Sequence, residues 1–208
     1  MILSRANVLF AVMIGLAACA SKPVDDRYYS LVLAADNVPA PANAEDANAH
    51  LIVGPIQLPA YLNNRGLAIQ LGSNQIQTAN HHFWAEPLEE AISKVLVRDI
   101  SSRIDGMAVD RDAGRWTVAG DCRLRVEFDK FHATSESRVV SSGRYWISST
   151  GLSVKKEFDM VRVLSADGYT HAVEALRELL GTLAMQITDT IGNNASCSGD
   201  STKVENQG

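Results

Sequence analysis

Two stretches of the chain carry apolar residues at helical spacing. In the first, Leu88, Ile92, Val95, Leu96 and Ile100 fall on one face, with Pro87 suited to the first helical position and Glu86, Glu89 and Glu90 near the positive end of the dipole. In the second, Val173, Leu176, Leu180, Leu183, Ala184, Ile187 and Ile191 form a stripe that opens at Thr170, a residue suited to an N-cap, and closes at Gly192. Elsewhere the period is two. Trp116, Val118, Cys122, Leu124, Val126 and Phe128 share one parity, while Arg123, Arg125, Glu127 and Asp129 take the other, which predicts a strand with one buried and one wet face. Further strands are predicted at Arg27–Leu33, at His50–Leu58, at Arg138–Ser149 and at Ser153–Leu164. Pro55 cannot donate to a ladder, so the His50–Leu58 strand is expected at an edge or bulged. The apolar parity of the last strand switches between Phe158 and Val161, where a bulge or twist is expected. Leu67–Leu71 and Gln75–Gln77, parted by Gly72-Ser73-Asn74, predict a hairpin, and the Ala-, Asn- and Pro-rich run at 34–49 predicts a surface loop. The order of strands, helix, strands, helix gives a two-layer α+β fold: a mainly antiparallel sheet with two helices packed on one face.

The first residues follow none of these patterns. A single charge, Arg5, precedes the apolar run Val8–Ala18, which is about 11 residues long against the ~20 needed to span hydrocarbon. Such a run is an export signal, not a membrane span. It ends in Leu16-Ala17-Ala18-Cys19, which has the form of a lipobox, with small residues for the peptidase cleft and a thiol to carry lipid. Ala18-Cys19-Ala20 also has the form of an A-x-A site, whose cleavage would release a soluble protein. On the lipobox reading, residues 1–18 are a signal peptide, 19–26 the lipidated Cys19 and its tether, 27–191 one periplasmic α/β domain, and 192–208 a polar tail. Ala20 and Ser21 follow the cysteine; the Asp that retains lipoproteins at the inner membrane is missing there, which points to the outer membrane.

The formal net charge is −5, and removal of a leader holding Arg5 makes it one unit more negative. That excludes a nucleic-acid-binding surface built on excess basic charge, and attachment to anionic lipid by charge alone. The membrane contact must be hydrophobic, which lipid on Cys19 provides.

Cys122 and Cys197 remain. In an oxidising compartment they are expected to pair, closing a loop of about 75 residues that by chain entropy contributes ~4 kcal/mol. Two free thiols, with Cys122 a small buried apolar residue, is the other reading.

Leu58-Pro59-Ala60-Tyr61-Leu62-Asn63-Asn64 and His81-His82-Phe83-Trp84-Ala85-Glu86-Pro87-Leu88-Glu89-Glu90, together with the Tyr28-Tyr29-Ser30-Leu31 strand and the lipobox, resemble the PqiC/YmbA family of lipoproteins. Asn63 stands where that family often has Asp. The resemblance implies an outer-membrane lipoprotein of a Pqi-like intermembrane lipid transport system that supports envelope integrity. Its implied partners are a periplasm-spanning MCE-domain protein and an inner-membrane Pqi-like subunit, and it implies a homo-oligomer where the chain meets a tubular partner. The work is then binding, not catalysis, with no cofactor.

Within these segments Tyr61 and Leu62 at a turn, and Trp84 and Glu86 before a helix, are the candidate partner-binding residues. The competing reading buries Tyr61 and makes Trp84 a hydrophobic staple at a helix start. His81 and His82 are adjacent, so on a strand they face opposite ways, and no Cys/His spacing nearby completes a metal site. There is no G-x-S-x-G, H-E-x-x-H or P-loop. Two other classes stay open: a structural envelope lipoprotein without lipid cargo, and a soluble periplasmic hydrolase with a triad assembled from distant residues.

Overall fold

A computed structural model describes residues 24–32, 47, 49–112, 122–149, 152–193 and 197. The export signal, Cys19, most of the expected 34–49 loop, Trp116, Val118 and the tail other than Cys197 lie outside the described residues.

Among the described residues eight strands form one sheet: β1 (Arg27–Tyr29), β2 (Ala49–Gln57), β3 (Gly66–Gln70), β4 (Ile76–Trp84), β5 (Met107–Arg111), β6 (Cys122–Thr134), β7 (Arg138–Ser149) and β8 (Leu152–Val163). Two helices, α1 (Leu88–Ser101) and α2 (Tyr169–Gly192), cover one face. α1 lies on β2 and β5, α2 lies on β6, β7 and β8, and the helices pack against each other. The long ladders β6–β7 and β7–β8 are antiparallel, as is the β3–β4 hairpin, so the sheet is mainly antiparallel by length. The shorter ladders β1–β4, β2–β5, β2–β6 and β3–β6 are parallel.

β6 organises the sheet. One of its edges carries β7 along its whole length. The other edge is shared: residues Cys122 to Glu127 pair with β2, and Ala133 and Thr134 pair with β3. A bulge between Phe128 and Lys130 marks the fork. Before it Cys122, Leu124, Val126 and Phe128 point into the core; after it Phe131 and Ala133 do. Gly143 sits opposite Phe128, where a Cβ would lie 2.1 Å from the Glu127 carbonyl oxygen, so only glycine fits.

The remaining core comes from the helical stripes, with Ile92, Val95, Leu96 and Ile100 of α1 and Leu180, Leu183, Ala184 and Ile187 of α2 fully buried. The Sγ atoms of Cys122 and Cys197 are bonded, with Cα atoms 5.7 Å apart, joining the start of β6 to the chain beyond α2.

Of the two positions expected for β2, at an edge or bulged, the second holds: its register shifts between Val53 and Ile56, and it lies between β5 and β6. The bulge spares Pro55 a ladder bond inside the sheet. Other local expectations are corrected. Of the bulge or twist expected near Phe158, the bulge is absent, because β8 pairs with β7 in unbroken register; Val161 and Val163 are left exposed at 56% and 73%. Pro87 is the N-cap of α1 and not its first residue. α2 is capped at Gly168, whose φ of +119° suits glycine, and Thr170 falls inside its first turn. β1 stops at Tyr29, four residues short of the expected Leu33, and β5 is a strand that the periodicity did not reveal.

Candidate docking cleft

The Leu58–Asn64 segment turns sharply because Pro59, held at φ −63°, leads into a 3-10 turn at Ala60–Leu62. The turn closes with Leu62 N–H donating to the Pro59 carbonyl at 2.9 Å. The chain then loops through Asn63, Asn64 and Arg65 into β3. The end of β4 comes beside this loop: Trp84 N–H donates to the Arg65 carbonyl and Ala85 N–H to the Tyr29 carbonyl, both at 2.8 Å. The β3–β4 pairing shifts register between Gly66 and Ala68, and a Cβ at Gly66 would lie 2.6 Å from the Ala79 carbonyl oxygen.

Between the two loops and the start of α1 lies an open cleft of about 320 Å³, lined among others by Leu62, Arg65, Trp84, Glu86 and Leu88. Leu62, Trp84 and Leu88 are buried and make an apolar floor, while Asn63, Asn64, Arg65 and Glu89 stand exposed on the rim. Glu86, just before α1, pairs with Lys94 of the helix. The helix has no side-chain cap at Pro87, and Glu89 and Glu90 stand in its first turn, where they offset the positive end of its dipole.

Three of the four residues singled out in the sequence, Leu62, Trp84 and Glu86, therefore meet at this cleft. Tyr61 does not line it. Its hydroxyl donates to His132 Nδ1 at 2.8 Å, inside the fork between β2 and β3. His132 Nε2 lies 3.0 Å from Gln70 Oε1, and Gln70 Nε2 donates to the Gly72 carbonyl at 2.7 Å. The amide orientation sets the tautomer: Nε2 carries the proton and Nδ1 accepts. Burial, and then the charge of Lys130, push His132 down to about 4. Burial chiefly raises the Tyr61 phenol. His132 had no sequence signal, because the bulge before it breaks the alternation. Arg65 and Leu88 were likewise missed as cleft residues, since only the β3–β4 clip brings them together.

His81 donates to Asp26 Oδ1 at 2.9 Å, while His82 meets the Tyr29 hydroxyl at 2.8 Å and stacks on Tyr169 at 3.7 Å. Among the described residues no group of three or more His, Cys, Asp or Glu could hold a metal ion. Among the same residues no helix is long and apolar enough to cross a membrane.

Comparison with known proteins places this geometry. A family model described as "ABC-type transport auxiliary lipoprotein component" matches residues 29–188. The intermembrane transport lipoprotein PqiC of Escherichia coli is 26% identical over 176 residues, covering 85% of this chain and 91% of that protein. The Shigella flexneri protein of the same name matches equally. A crystal structure of an uncharacterized protein is 26% identical with a TM-score of 0.68, covering 81% of this chain and 99% of that one. Protein XCC0632 of Xanthomonas campestris shares the fold, with a TM-score of 0.58 at 13% identity over 77% of this chain and 92% of that one.

Proposed function

The chain belongs to the family of ABC-type transport auxiliary lipoprotein components, and on that premise we propose that it is the outer-membrane subunit of a Pqi-like intermembrane lipid transport system. The observation that carries the reading is the 26% identity to an intermembrane transport lipoprotein across 91% of that protein's length. Residues 1–18 direct export, Cys19 takes the lipid, and 20–26 tether the domain on the periplasmic side. The domain docks the end of a periplasm-spanning MCE-domain protein, with an inner-membrane subunit at the other end, and several copies surround that end. It acts by binding and takes no cofactor. The lining of the cleft supports it as the contact: an apolar floor of Leu62, Trp84 and Leu88 beside a polar rim has the composition of a partner-binding surface.

Affinity capture of the lipidated chain from detergent-solubilised membranes tests this. The native chain should bring down an MCE-domain protein, and Asn64→Arg or Glu89→Arg, both at exposed rim positions, should lower the yield severalfold without altering the fold. Full capture by both variants would refute the cleft as the contact. Absence of any MCE-domain protein with the native chain would refute the partner.

A further inference from the structure

The outward row of β1 and β4 is more apolar than an exposed edge needs to be. Tyr28 is 55% exposed at the middle of β1, an edge strand. Its ring lies 5.7 Å from that of its ladder partner Phe83. The Arg65 guanidinium sits over both rings, 5.9 Å from Tyr28 and 5.7 Å from Phe83. Further along the same row Asp26 accepts its hydrogen bond from His81, and before it Val24 is 65% exposed.

Where the chain leads from here decides what covers this row. Cys19 stands five positions before Val24. An extended chain spans at most ~3.6 Å per residue, so Val24 lies within roughly 18 Å of the sulfur that carries the lipid. The interfacial layer on each side of the hydrocarbon is itself about 5–8 Å thick. Few surfaces of the domain can be held so near a bilayer, and this one has the matching chemistry. Tyr and Arg side chains have apolar bodies that enter the interface and polar ends that stay at phosphate level. The protein as a whole is acidic, so general charge does not draw it down, and the contact must come from such local groups.

We infer that Val24, Tyr28, Phe83 and Arg65 form a membrane-resting patch, which lies on the headgroup layer of the bilayer that holds Cys19. The inference rests on the lipid anchor proposed above. It adds an orientation: β1 lies against the membrane, β8 at the far edge of the sheet lies away from it, and the cleft, which shares Arg65 with the patch, opens at the membrane surface. A partner docked there would have its end delivered to the bilayer, where a lipid must be handed over.

The test uses full-length, lipidated protein in vesicles of phosphatidylethanolamine and phosphatidylglycerol. A nitroxide is attached at Tyr28→Cys in one sample and at Val163→Cys in another, both exposed positions. Collisions with oxygen, which enters lipid, and with a nickel chelate, which stays in water, are then compared. The label at 28 should meet nickel severalfold less often than the label at 163, and oxygen at least as often. Equal nickel access at both positions would overturn the patch while leaving the anchor intact. Protection at 28 from both reagents would mean burial against protein and would also overturn it. Failure of the chain to float with the vesicles would instead overturn the anchor, and the patch with it.

Discussion

Tyr61 and His132, 71 residues apart in the chain, are joined by a 2.8 Å hydrogen bond from phenol oxygen to Nδ1. The bond fixes the 3-10 turn to the second half of β6, at the fork where β6 leaves β2 for β3. His132 is 3% exposed, so water cannot replace a lost partner. Tyr61→Phe keeps the ring and removes the donor, leaving Nδ1 buried and unpaired, which costs roughly 1–3 kcal/mol. A urea unfolding series should show a lower midpoint with an unchanged slope; an unchanged midpoint would mean that the bond does not hold the turn.

The same histidine gives the domain a pH dependence. Its folded value of about 4 lies below the ordinary 6.5. The unfolded chain therefore binds a proton where the folded chain does not, and stability is full above about 6.5 and falls as the pH drops towards 4. His82 is also held low, by burial first and then by Arg27 and His81, and acts in the same direction. Thermal midpoints measured from pH 7.5 down should decline through this window, before most carboxylates titrate. A His132→Leu chain, less stable overall, should show a shallower decline; an identical one would remove His132 as its source.

Asp99 sits almost wholly buried between the helices, with Arg177 Nη2 2.7 Å from its carboxylate and Arg98 Nε at 3.8 Å. Arg177→Ala strands much of that charge and is expected to destabilise the domain by about 3–5 kcal/mol. Arg162, whose partner Glu178 is exposed, provides the contrast: Arg162→Ala should change stability by ~1 kcal/mol or less. Replacing Asp99 and Arg177 together by Leu and Met should recover much of the first loss. Calorimetric unfolding of the four chains checks all three statements, and equal effects at Arg177 and Arg162 would contradict them.

The Cys122–Cys197 bond closes a separation of 75 residues. By chain entropy its removal lowers stability by about 4 kcal/mol. Cys197→Ala, or reductant applied to the unfolded chain before refolding, should lower the urea midpoint by that loss divided by the slope of the transition. If reductant changes nothing and both thiols react with a maleimide after denaturation, the cysteines are unpaired in the native protein.

The helical faces were legible because each buries a stripe that nothing else in the chain mimics: Leu88 to Ile100 and Val173 to Ile191 needed no tertiary information. The long strands β7 and β8 showed equally well. What failed were places where two strands meet. β5, at Met107–Arg111, is too short to display a period, and only its pairing with β2 makes it a strand. The parity switch near Phe158 suggested a bulge or twist; there is no bulge, and Val161 and Val163 are exposed on an edge strand. The real bulge lies across the ladder in β6, where Gly143 of β7 lets the backbones approach. Leu62 and Trp84 looked like neighbours of function from sequence, but the cleft they share depends on the Trp84–Arg65 backbone bond. His132 was invisible, since a histidine after a broken alternation looks like any exposed strand residue.

A Cys19-anchored subunit of an intermembrane transport assembly must carry lipid and keep company with its partner. Intact mass spectrometry of native protein drawn from detergent-solubilised membranes, with identification of what accompanies it, reads both at once. The expected chain begins at diacylglyceryl-modified Cys19 and travels with an MCE-domain protein. An unmodified chain that begins at Ser21 and travels alone would overturn the proposed function.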